Sequence, residues 1–314
     1  MTPLVSIIMP CFNAALLVEK AIRSVLDQSH TDFELILVND GSTDHTGEIL
    51  RQWADTHPHI NVLSQDNKGV SAARNTGLAE ASGKYVAFLD ADDYWDKEFL
   101  TSMISALDES NAVLAYCGWQ NVGATDVSTA PFVPPDYENA VKLESLFRNC
   151  RWPIHAALSL RSAIVEAGGF DTRFKTSEDY YLWLAIGGFK PIIRVPKVLA
   201  YYVHHGETQA TSDPANMALN HFSVQREFLA KHPQLRELLG AERIADLTYG
   251  ELLRKGYQCY WKRNLRCARR IFKAVMKSGY GTLSDWKYMA PSLLPFVAHE
   301  ALLRKLNYEK GTPS

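Results

Sequence analysis

The sequence has few cysteines, no long apolar run and almost no net charge, and each shortage excludes a class of protein. Its 314 residues include five cysteines, an odd number with no Cys-x-x-Cys pair. This usage argues against a disulfide framework and against a zinc site, and it favours a reducing cytoplasm. No run approaches the ~20 apolar residues of a spanning helix, and the N-terminus lacks a basic segment followed by an apolar one. We therefore expect a chain that is neither secreted by a signal peptide nor integral to a membrane.

The formal charge of -2 gives no global attraction to nucleic acid, so nucleic acid is not an expected partner. Two nucleotide-binding loops are also missing. There is no Gly-x-x-x-x-Gly-Lys-Ser/Thr sequence, and no Gly-x-Gly-x-x-Gly follows a strand, which argues against an ATP P-loop and against a dinucleotide fold.

A hydrophobic content of 46% and a charged content of 22% are typical of a globular protein of one large or two smaller domains.

Short apolar runs alternate with amphipathic segments in the first part of the chain. The pattern predicts strands at 5–9, 33–38, 60–64, 85–89 and 113–119, with helices at 16–27, 46–56, 70–81 and 99–107. This order predicts an α/β fold with a mainly parallel mixed sheet flanked by helices.

The rest of the chain changes character twice. Residues 121–138 read as a long surface loop, and regular structure resumes with helices at 143–148, 162–167 and 178–186 and short strands at 191–195 and 198–203. Residues 214–308 look helical throughout. We expect a catalytic domain at 1–213 and a helical C-terminal region at 214–314 that serves the acceptor, a membrane surface or a dimer.

A cluster of carboxylates follows the apolar strand that ends at Leu89. Open α/β sheets hold their ligands at the carboxyl ends of strands, and Mg²⁺ or Mn²⁺ bound by one or two carboxylates also grips phosphates. Asp90 and Asp92 are therefore candidates for metal and phosphate chemistry. The alternative is that Asp92, Asp93 or Asp96 simply caps the next helix.

Asp40 follows the strand at 33–38 and should emerge at the same sheet edge as Asp90. Its carboxylate can accept a hydrogen bond from a base N3–H, and Gly41 permits close backbone approach. The alternative is turn and cap chemistry, which we expect for Asp44.

Cations and acids open two later helices. Lys68 and Arg74 can face an anionic diphosphate, although a solvated Lys68 and a structural salt bridge of Arg74 are the alternatives. Glu178 and Asp179 lie at a helix N-terminus, which favours the ionised form that a general base needs. There the alternative is a helix end capped by Thr176 or Ser177.

Five stretches in a fixed order resemble the family 2 glycosyltransferases of GT-A fold, over about residues 4 to 210. They are SIIMPCFN at 6–13, LVNDGSTD at 37–44, KGVSAARNTG at 68–77, DADD at 90–93 and ED at 178–179. The resemblance implies an inverting transferase that moves a hexose or N-acetylhexosamine from a UDP-sugar to a glycan or lipid-linked acceptor. It implies Mn²⁺ or Mg²⁺ as cofactor.

The resemblance also assigns residues. Asp179 would be the catalytic base, Glu178 would orient hydroxyl groups, and Asp92 would bind the metal. The donor site would be formed by Pro10, Phe12, Asn13, Asp40, Lys68, Arg74, Asp90, Ala91 and Asp92. Trp95, Trp152, His155 and Trp183 could stack on sugar rings, with core packing as the alternative.

The sequence departs from the family pattern at Ala14, where many members carry an acid nearby. A histidine near the diphosphate could be His204 or His205, and the sequence does not distinguish them. A catalytically silent module that binds nucleotide sugars or glycans is the alternative function.

The helical tail carries nine Lys and Arg residues and no acid between Leu252 and Ser284. Such a basic, aromatic segment can lie on an anionic leaflet. A helix pair packed on the catalytic domain and a homodimer contact are the alternatives. These expectations place the protein in the cytoplasm, with peripheral contact to the inner membrane face as one option.

Overall fold

The computed structural model describes residues 3–123, 128–205 and 213–301. The chain divides into two compact units, Met1–Glu207 and Thr208–Ser314. Much of the link expected at 206–214 lies outside the described residues, as do residues 302–308 of the predicted helical tail. The roles expected for the two parts stay predictions.

The first unit contains eight strands and seven α-helices within its described residues. The strands are β1 Val5–Cys11, β2 Phe33–Asp40, β3 Ile60–Gln65, β4 Tyr85–Phe88, β5 Tyr94–Trp95, β6 Leu114–Val122, β7 Ala157–Leu160 and β8 Ile192–Val203. The helices are α1 Val18–Leu26, α2 Thr46–Thr56, α3 Val70–Glu80, α4 Phe99–Asp108, α5 Lys142–Arg148, α6 Arg161–Glu166 and α7 Glu178–Gly187.

All eight strands form one mixed sheet in the order β3-β2-β1-β4-β7-β6-β8-β5. Strands β3, β2, β1 and β4 are parallel, β7 is antiparallel to both of its neighbours, β6 and β8 are parallel, and β5 is antiparallel to β8. The predicted α/β class with a mixed sheet is confirmed.

Three strands differ from the prediction. Neither β5 nor β7 was expected, because two and four residues are too short to show a period. The two strands expected at 191–195 and 198–203 are one strand, β8, whose register against β6 shifts around Gly118. Pro196 lies at the shift, where a residue without an N–H is tolerated.

Burial explains why the first elements form as predicted. Every residue of β1 is buried, as expected for a central strand covered on both faces. In α3, Gly77 packs against β1, and a Cβ added there would lie 2.5 Å from Cγ2 of Ile8. The close packing of α3 on β1 therefore explains why a glycine occupies position 77, at the end of the KGVSAARNTG stretch.

The second unit is helical throughout its described part, as predicted. Its helices are α8 Pro214–Lys231, α9 Leu235–Leu239, α10 Ala241–Ala245, α11 Glu251–Trp261, α12 Leu265–Met276 and α13 Leu283–Met289. Side chains cap the two longest of these helices, α8 and α12: Asp213 accepts from Ala215 N, and Asn264 accepts from Cys267 N. Among the described residues, none of the helices combines the length and apolarity needed to cross a bilayer.

A disulfide bond joins Cys259 of α11 to Cys267 of α12, so the expectation of no disulfide is wrong. The two Cα atoms lie 5.8 Å apart because the short turn between the helices brings the two positions face to face. The sequence separation of eight residues does not by itself show that the two cysteines are close enough to bond. Cys11, Cys117 and Cys150 are free thiols.

Candidate active site

The carboxyl ends of β1, β2 and β4 meet at one edge of the sheet. Cys11 of β1 pairs with Asn39 of β2, and Ile8 of β1 pairs with Phe88 of β4, all in parallel register. Asp40 is the last residue of β2, and the segments that follow β1 and β4 begin with Phe12 and Leu89. The predicted placement of Asp40 and Asp90 at the same edge is confirmed.

Asp40 organises the loop that precedes α3. Its Oδ1 accepts from Gln65 Nε2 at 2.7 Å and Lys68 N at 2.9 Å, and its Oδ2 accepts from Gly69 N at 2.8 Å. The residue is only 3% exposed. Since a carboxylate offers about four lone-pair positions, these three donors leave one, on Oδ2.

The turn after β2 also holds the end of β1. Asn13, at a φ of 48°, accepts from Thr43 N at 2.8 Å through Oδ1, and its own N–H donates to Ser42 Oγ at 3.1 Å. Asp44 accepts from Thr46 N at 2.9 Å, so the turn chemistry expected for it is observed, whereas the N-cap of α2 is His45 and not Asp44. Asp44 also accepts from Ala15 N at 3.1 Å, so an acid from the turn after β2 contacts the backbone next to Ala14.

Other predicted donor-site residues near this edge differ in exposure. Pro10 and Ala91 are buried and shape the backbone. The Phe12 side chain is 50% exposed. Lys68 is exposed to solvent. This exposure agrees with the alternative that Lys68 is simply solvated, and it also leaves the ammonium group able to meet an anion.

Arg74 is buried and joins the two acidic segments. Its Nη2 donates to Asp90 Oδ1 at 2.6 Å and its Nη1 donates to Glu178 Oε1 at 2.7 Å. The structural salt bridge weighed for Arg74 is therefore observed. Glu178 is 8% exposed and its Oε1 is held by this pair, and its expected role in orienting hydroxyl groups stays a prediction.

The four acids after β4 have separate partners. None of them caps α4, whose N-cap is Glu98 without a side-chain capping bond; Asp96 Oδ1 accepts from Glu98 N at 2.9 Å just ahead of that helix. Asp93 is 2% exposed; its Oδ2 lies 2.9 Å from His155 Nδ1, and its Oδ1 accepts from Val203 N at 2.8 Å. Asp90 and Asp92 keep 29% and 30% of their side chains exposed.

Asp92 contacts one of the two candidate histidines. His205 Nε2 lies 3.0 Å from Asp92 Oδ2, whereas His204 Nε2 lies 3.2 Å from Asn121 Oδ1. Burial, followed by the charges of Asp93 and Asp90, raises the pKa of Asp92 to about 6. An added cation would relieve this crowding of negative charge.

Asp179 lies at the start of α7 with a strongly perturbed carboxyl group. Burial first, and then the charge of Glu178, raise its pKa to about 7, while the Arg74 charge opposes them. Its Oδ1 accepts from Tyr180 N at 2.7 Å, and its Oδ2 lies 3.8 Å from Cys150 Sγ, a weak donor. Ser177 immediately precedes α7, at a φ of 66°. Its side chain makes no hydrogen bond to the first turn, so the predicted side-chain cap by Ser177 is not observed.

The four rings suggested as sugar platforms are buried. Trp95, Trp152 and Trp183 are at most 3% exposed and His155 is fully buried, which supports the core-packing alternative. Sequence reasoning also missed Gln65 and Cys150 as neighbours of Asp40 and Asp179. Neither residue belongs to a recognisable pattern, and only the fold brings it to the site.

Comparison with known proteins gives the site its context. The model of glycosyl transferase family 2 matches residues 6–157. An Escherichia coli protein, UDP-Glc:alpha-D-GlcNAc-diphosphoundecaprenol beta-1,3-glucosyltransferase WfgD, is 34% identical over 58% of this chain and 69% of its own length. The putative teichuronic acid biosynthesis glycosyltransferase TuaG of Bacillus subtilis is 38% identical over 45% of this chain, which spans 58% of that relative's length.

A solved structure supports the fold. A mannosyltransferase from Pyrobaculum calidifontis, in complex with GDP-Man and Mn²⁺, superposes with a TM-score of 0.59 at 21% identity, covering 92% of this chain and 79% of that chain. The mixed sheet and the flanking helices are therefore those of the GT-A fold. The chain belongs to glycosyl transferase family 2.

Proposed function

We propose that the protein is an inverting glycosyltransferase that moves a hexose or N-acetylhexosamine from a UDP-sugar to a hydroxyl group of a glycan or lipid-linked acceptor. One observation carries the proposal. Arg74 pairs with both Asp90 and Glu178, so the acidic loop after β4 and the start of α7, where Asp179 lies, face the same guanidinium. Groups for the donor diphosphate and for the acceptor proton thus belong to a single site.

Asp179 is the general base of the proposed reaction, and its pKa near 7 supports this role. A base works best when its pKa lies near the working pH, because it is then largely ionised yet still basic. Asp179 removes the proton from the acceptor hydroxyl while that oxygen attacks the anomeric carbon. The nucleoside diphosphate leaves from the opposite face, so the configuration at that carbon inverts.

Glu178 has a positioning role in this proposal. Glu178 Oε1 accepts a hydrogen bond from Arg74, whereas Asp179 Oδ2 lies 3.8 Å from the Cys150 thiol, a weak donor. Burial, and then the charge of Asp179, raise the pKa of Cys150 well above its usual value, so this residue stays a neutral thiol. The two adjacent acids therefore divide into one that holds Arg74 and one that accepts a proton.

The donor nucleotide is proposed to bind at the edge formed by Phe12, Asn13 and Asp40. The half-exposed ring of Phe12 offers a face to a base, and the free lone pair on Asp40 Oδ2 can accept a uracil N3–H. Lys68 is exposed and can meet the diphosphate. Pro10 and Ala91 shape the backbone beside it, while Arg74 is buried and holds Asp90 through its ion pair.

A divalent metal, Mn²⁺ or Mg²⁺, fits the residues around Asp92. Such ions take one or two protein carboxylates and complete their shell with water and substrate phosphates. Asp92 is partly exposed, is crowded by Asp93 and Asp90, and has His205 Nε2 beside it. The metal, when bound, would neutralise charge on the leaving diphosphate. Within the described residues no group of three or more His, Cys, Asp or Glu side chains is placed to hold a metal ion, so the proposed site rests on Asp92 with His205 beside it.

The proposed classes of sugar donor and acceptor are inferred from the names of similar proteins. The name of WfgD gives a UDP-sugar donor and an acceptor linked to a lipid diphosphate, and that relative is covered over 69% of its length. The Pyrobaculum structure holds GDP-Man instead, so the nucleotide has to be tested directly.

The experiment is a panel of UDP-, dTDP- and GDP-sugars, scored by released nucleoside diphosphate with and without Mn²⁺. We expect turnover with a UDP-sugar, dependent on the metal. Asp179→Asn should lower kcat by roughly 10²- to 10⁴-fold while UDP affinity is retained. Asp55→Asn, an exposed carboxylate of α2, is the matched control and should leave turnover unchanged. Binding of UDP-sugars without turnover in the parent protein would instead support the silent binding module.

A further inference from the structure

The second unit carries a cavity whose lining is almost entirely cationic. It has a volume of about 460 Å³ and is lined by Arg266, Arg269, Arg270, Lys273 and Phe296. The four cations recur along α12 at intervals of three and four residues, so they share one face of that helix. The opposite face is apolar and buried, and consists of Cys267, Ala268, Ile271, Phe272 and Val275.

The cations of this cavity differ in their partners. Arg270 pairs with Asp213 at 2.9 Å. Within the described residues, no carboxylate forms an ion pair with Arg266, Arg269 or Lys273. Three positive charges at one opening favour an anionic ligand, since they repel one another without it.

Phe296 fixes two of these cations in place. The guanidinium carbons of Arg266 and Arg269 lie 5.3 and 5.7 Å from the centre of its ring. Arg269 also donates to Leu294 O at 2.6 Å and lies 3.1 Å from His299 Nδ1. A guanidinium held by an aromatic ring presents its free N–H groups in a fixed direction, which suits a phosphate oxygen.

Exposed aliphatic side chains flank the cavity in sequence on both sides of Phe296. Leu293, Leu294 and Val297 are 66%, 41% and 76% exposed. Large apolar side chains grouped next to a basic surface are typical of elements that lie at a membrane interface, where the cations meet headgroups and the apolar groups enter the acyl boundary. A small soluble phosphate would make no use of them.

We propose that the cavity and the exposed residues beside it form a docking surface for membranes rich in anionic phospholipid, whose phosphates enter the cavity. The proposal is independent of the transfer reaction proposed above, because it concerns binding by the second unit. A basic surface segment gains roughly fivefold in membrane affinity for each cation near an anionic leaflet.

The test is co-sedimentation of the full chain with vesicles of phosphatidylcholine alone and of phosphatidylcholine with phosphatidylglycerol. We expect binding only to the anionic vesicles, weakened by added salt. The double variant Arg266→Gln, Lys273→Gln should lose roughly 25-fold in affinity. The matched control Arg236→Gln, Lys255→Gln removes the same charge from exposed positions outside the cavity and should keep nearly all of the binding.

A second pair of changes tests the apolar part. Leu293→Ser with Val297→Ser should weaken binding to anionic vesicles while the protein stays folded, as checked by circular dichroism, because both side chains are exposed. Equal binding to both vesicle types would overturn the proposal. So would equal losses in the cavity and control variants, or tighter binding to an oligonucleotide or to inorganic pyrophosphate than to anionic vesicles.

Discussion

Arg74 and Glu178 are 104 residues apart in the sequence, and Nη1 of the arginine donates to Oε1 of the glutamate at 2.7 Å. The same guanidinium donates to Asp90 at 2.6 Å. One buried cation thus ties α3 to the loop after β4 and to the start of α7. The position of Asp179 depends on this contact, because Asp179 is the next residue along α7.

Replacing Arg74 should destabilise the protein strongly. Arg74→Ala leaves Asp90 and Glu178 without their cation, and we expect a loss of about 3–5 kcal/mol in the free energy of unfolding. Arg74→Lys should recover only part of this loss, since an ammonium lacks the fork that reaches both carboxylates. Urea denaturation measures the difference.

The control for this change is Arg23→Ala. Arg23 pairs with Glu19 on α1, and the two side chains are 64% and 55% exposed, so the change should cost at most ~0.5 kcal/mol. Equal effects of the Arg74 and Arg23 changes would contradict the central role given to Arg74.

The pH dependence of turnover should report the raised pKa of Asp179. A base is active when ionised, so kcat/KM of the free enzyme should fall about tenfold per pH unit below pH 7 and level off above it. The measurement is kcat/KM for the donor and acceptor pair from pH 5 to 9. An acid limb near pH 4, the ordinary value of an aspartate, would argue against Asp179 as the base.

The same pKa predicts an effect on stability that needs no substrate. A carboxyl group whose pKa is raised on folding favours the protonated state of the folded protein, so its ionisation destabilises the fold progressively from about pH 4 to about pH 7. Asp179→Asn should therefore be more stable than the parent at pH 8, by roughly 1–3 kcal/mol, and equal to it near pH 4. Thermal or urea unfolding at both pH values decides the matter, and a destabilised variant at pH 8 would count against it.

His205 should matter for metal binding and His204 should not. His205→Ala removes the imidazole beside Asp92, and we expect Mn²⁺ affinity in the presence of UDP to fall by roughly 10- to 100-fold. His204→Ala is the matched control, because His204 contacts Asn121. Isothermal titration calorimetry compares the two, and equal affinities would remove His205 from the proposed site.

The disulfide should stabilise the second unit. For a loop of this length the chain-entropy model gives a loss of roughly 2–3 kcal/mol in the free energy of unfolding on Cys259→Ala with Cys267→Ala. A thiol titration of the denatured, unreduced protein should find the three thiols of Cys11, Cys117 and Cys150. Five titratable thiols would show that the bond is absent.

Local pattern was enough to predict the early strands and helices, because β1 is buried on both faces and α1 buries Val18, Ala21, Ile22 and Val25 at helical spacing. It failed for β7, whose four residues lie between two strands distant in sequence. Pairing of this kind depends on which neighbours the chain supplies, and no short window contains that information.

The candidate site divides in the same way. The sequence alone determined that Asp40 and Asp90 follow parallel strands, so their common edge was a consequence of strand direction. Only the tertiary structure decided their partners: that Arg74 joins Asp90 to Glu178, that Asp92 lies beside His205, and that Cys259 bonds Cys267. The physical reason is the distance along the sequence over which each effect acts. Periodicity and turn chemistry act over a few residues, whereas ion pairs, burial and pKa shifts depend on groups that only folding brings together.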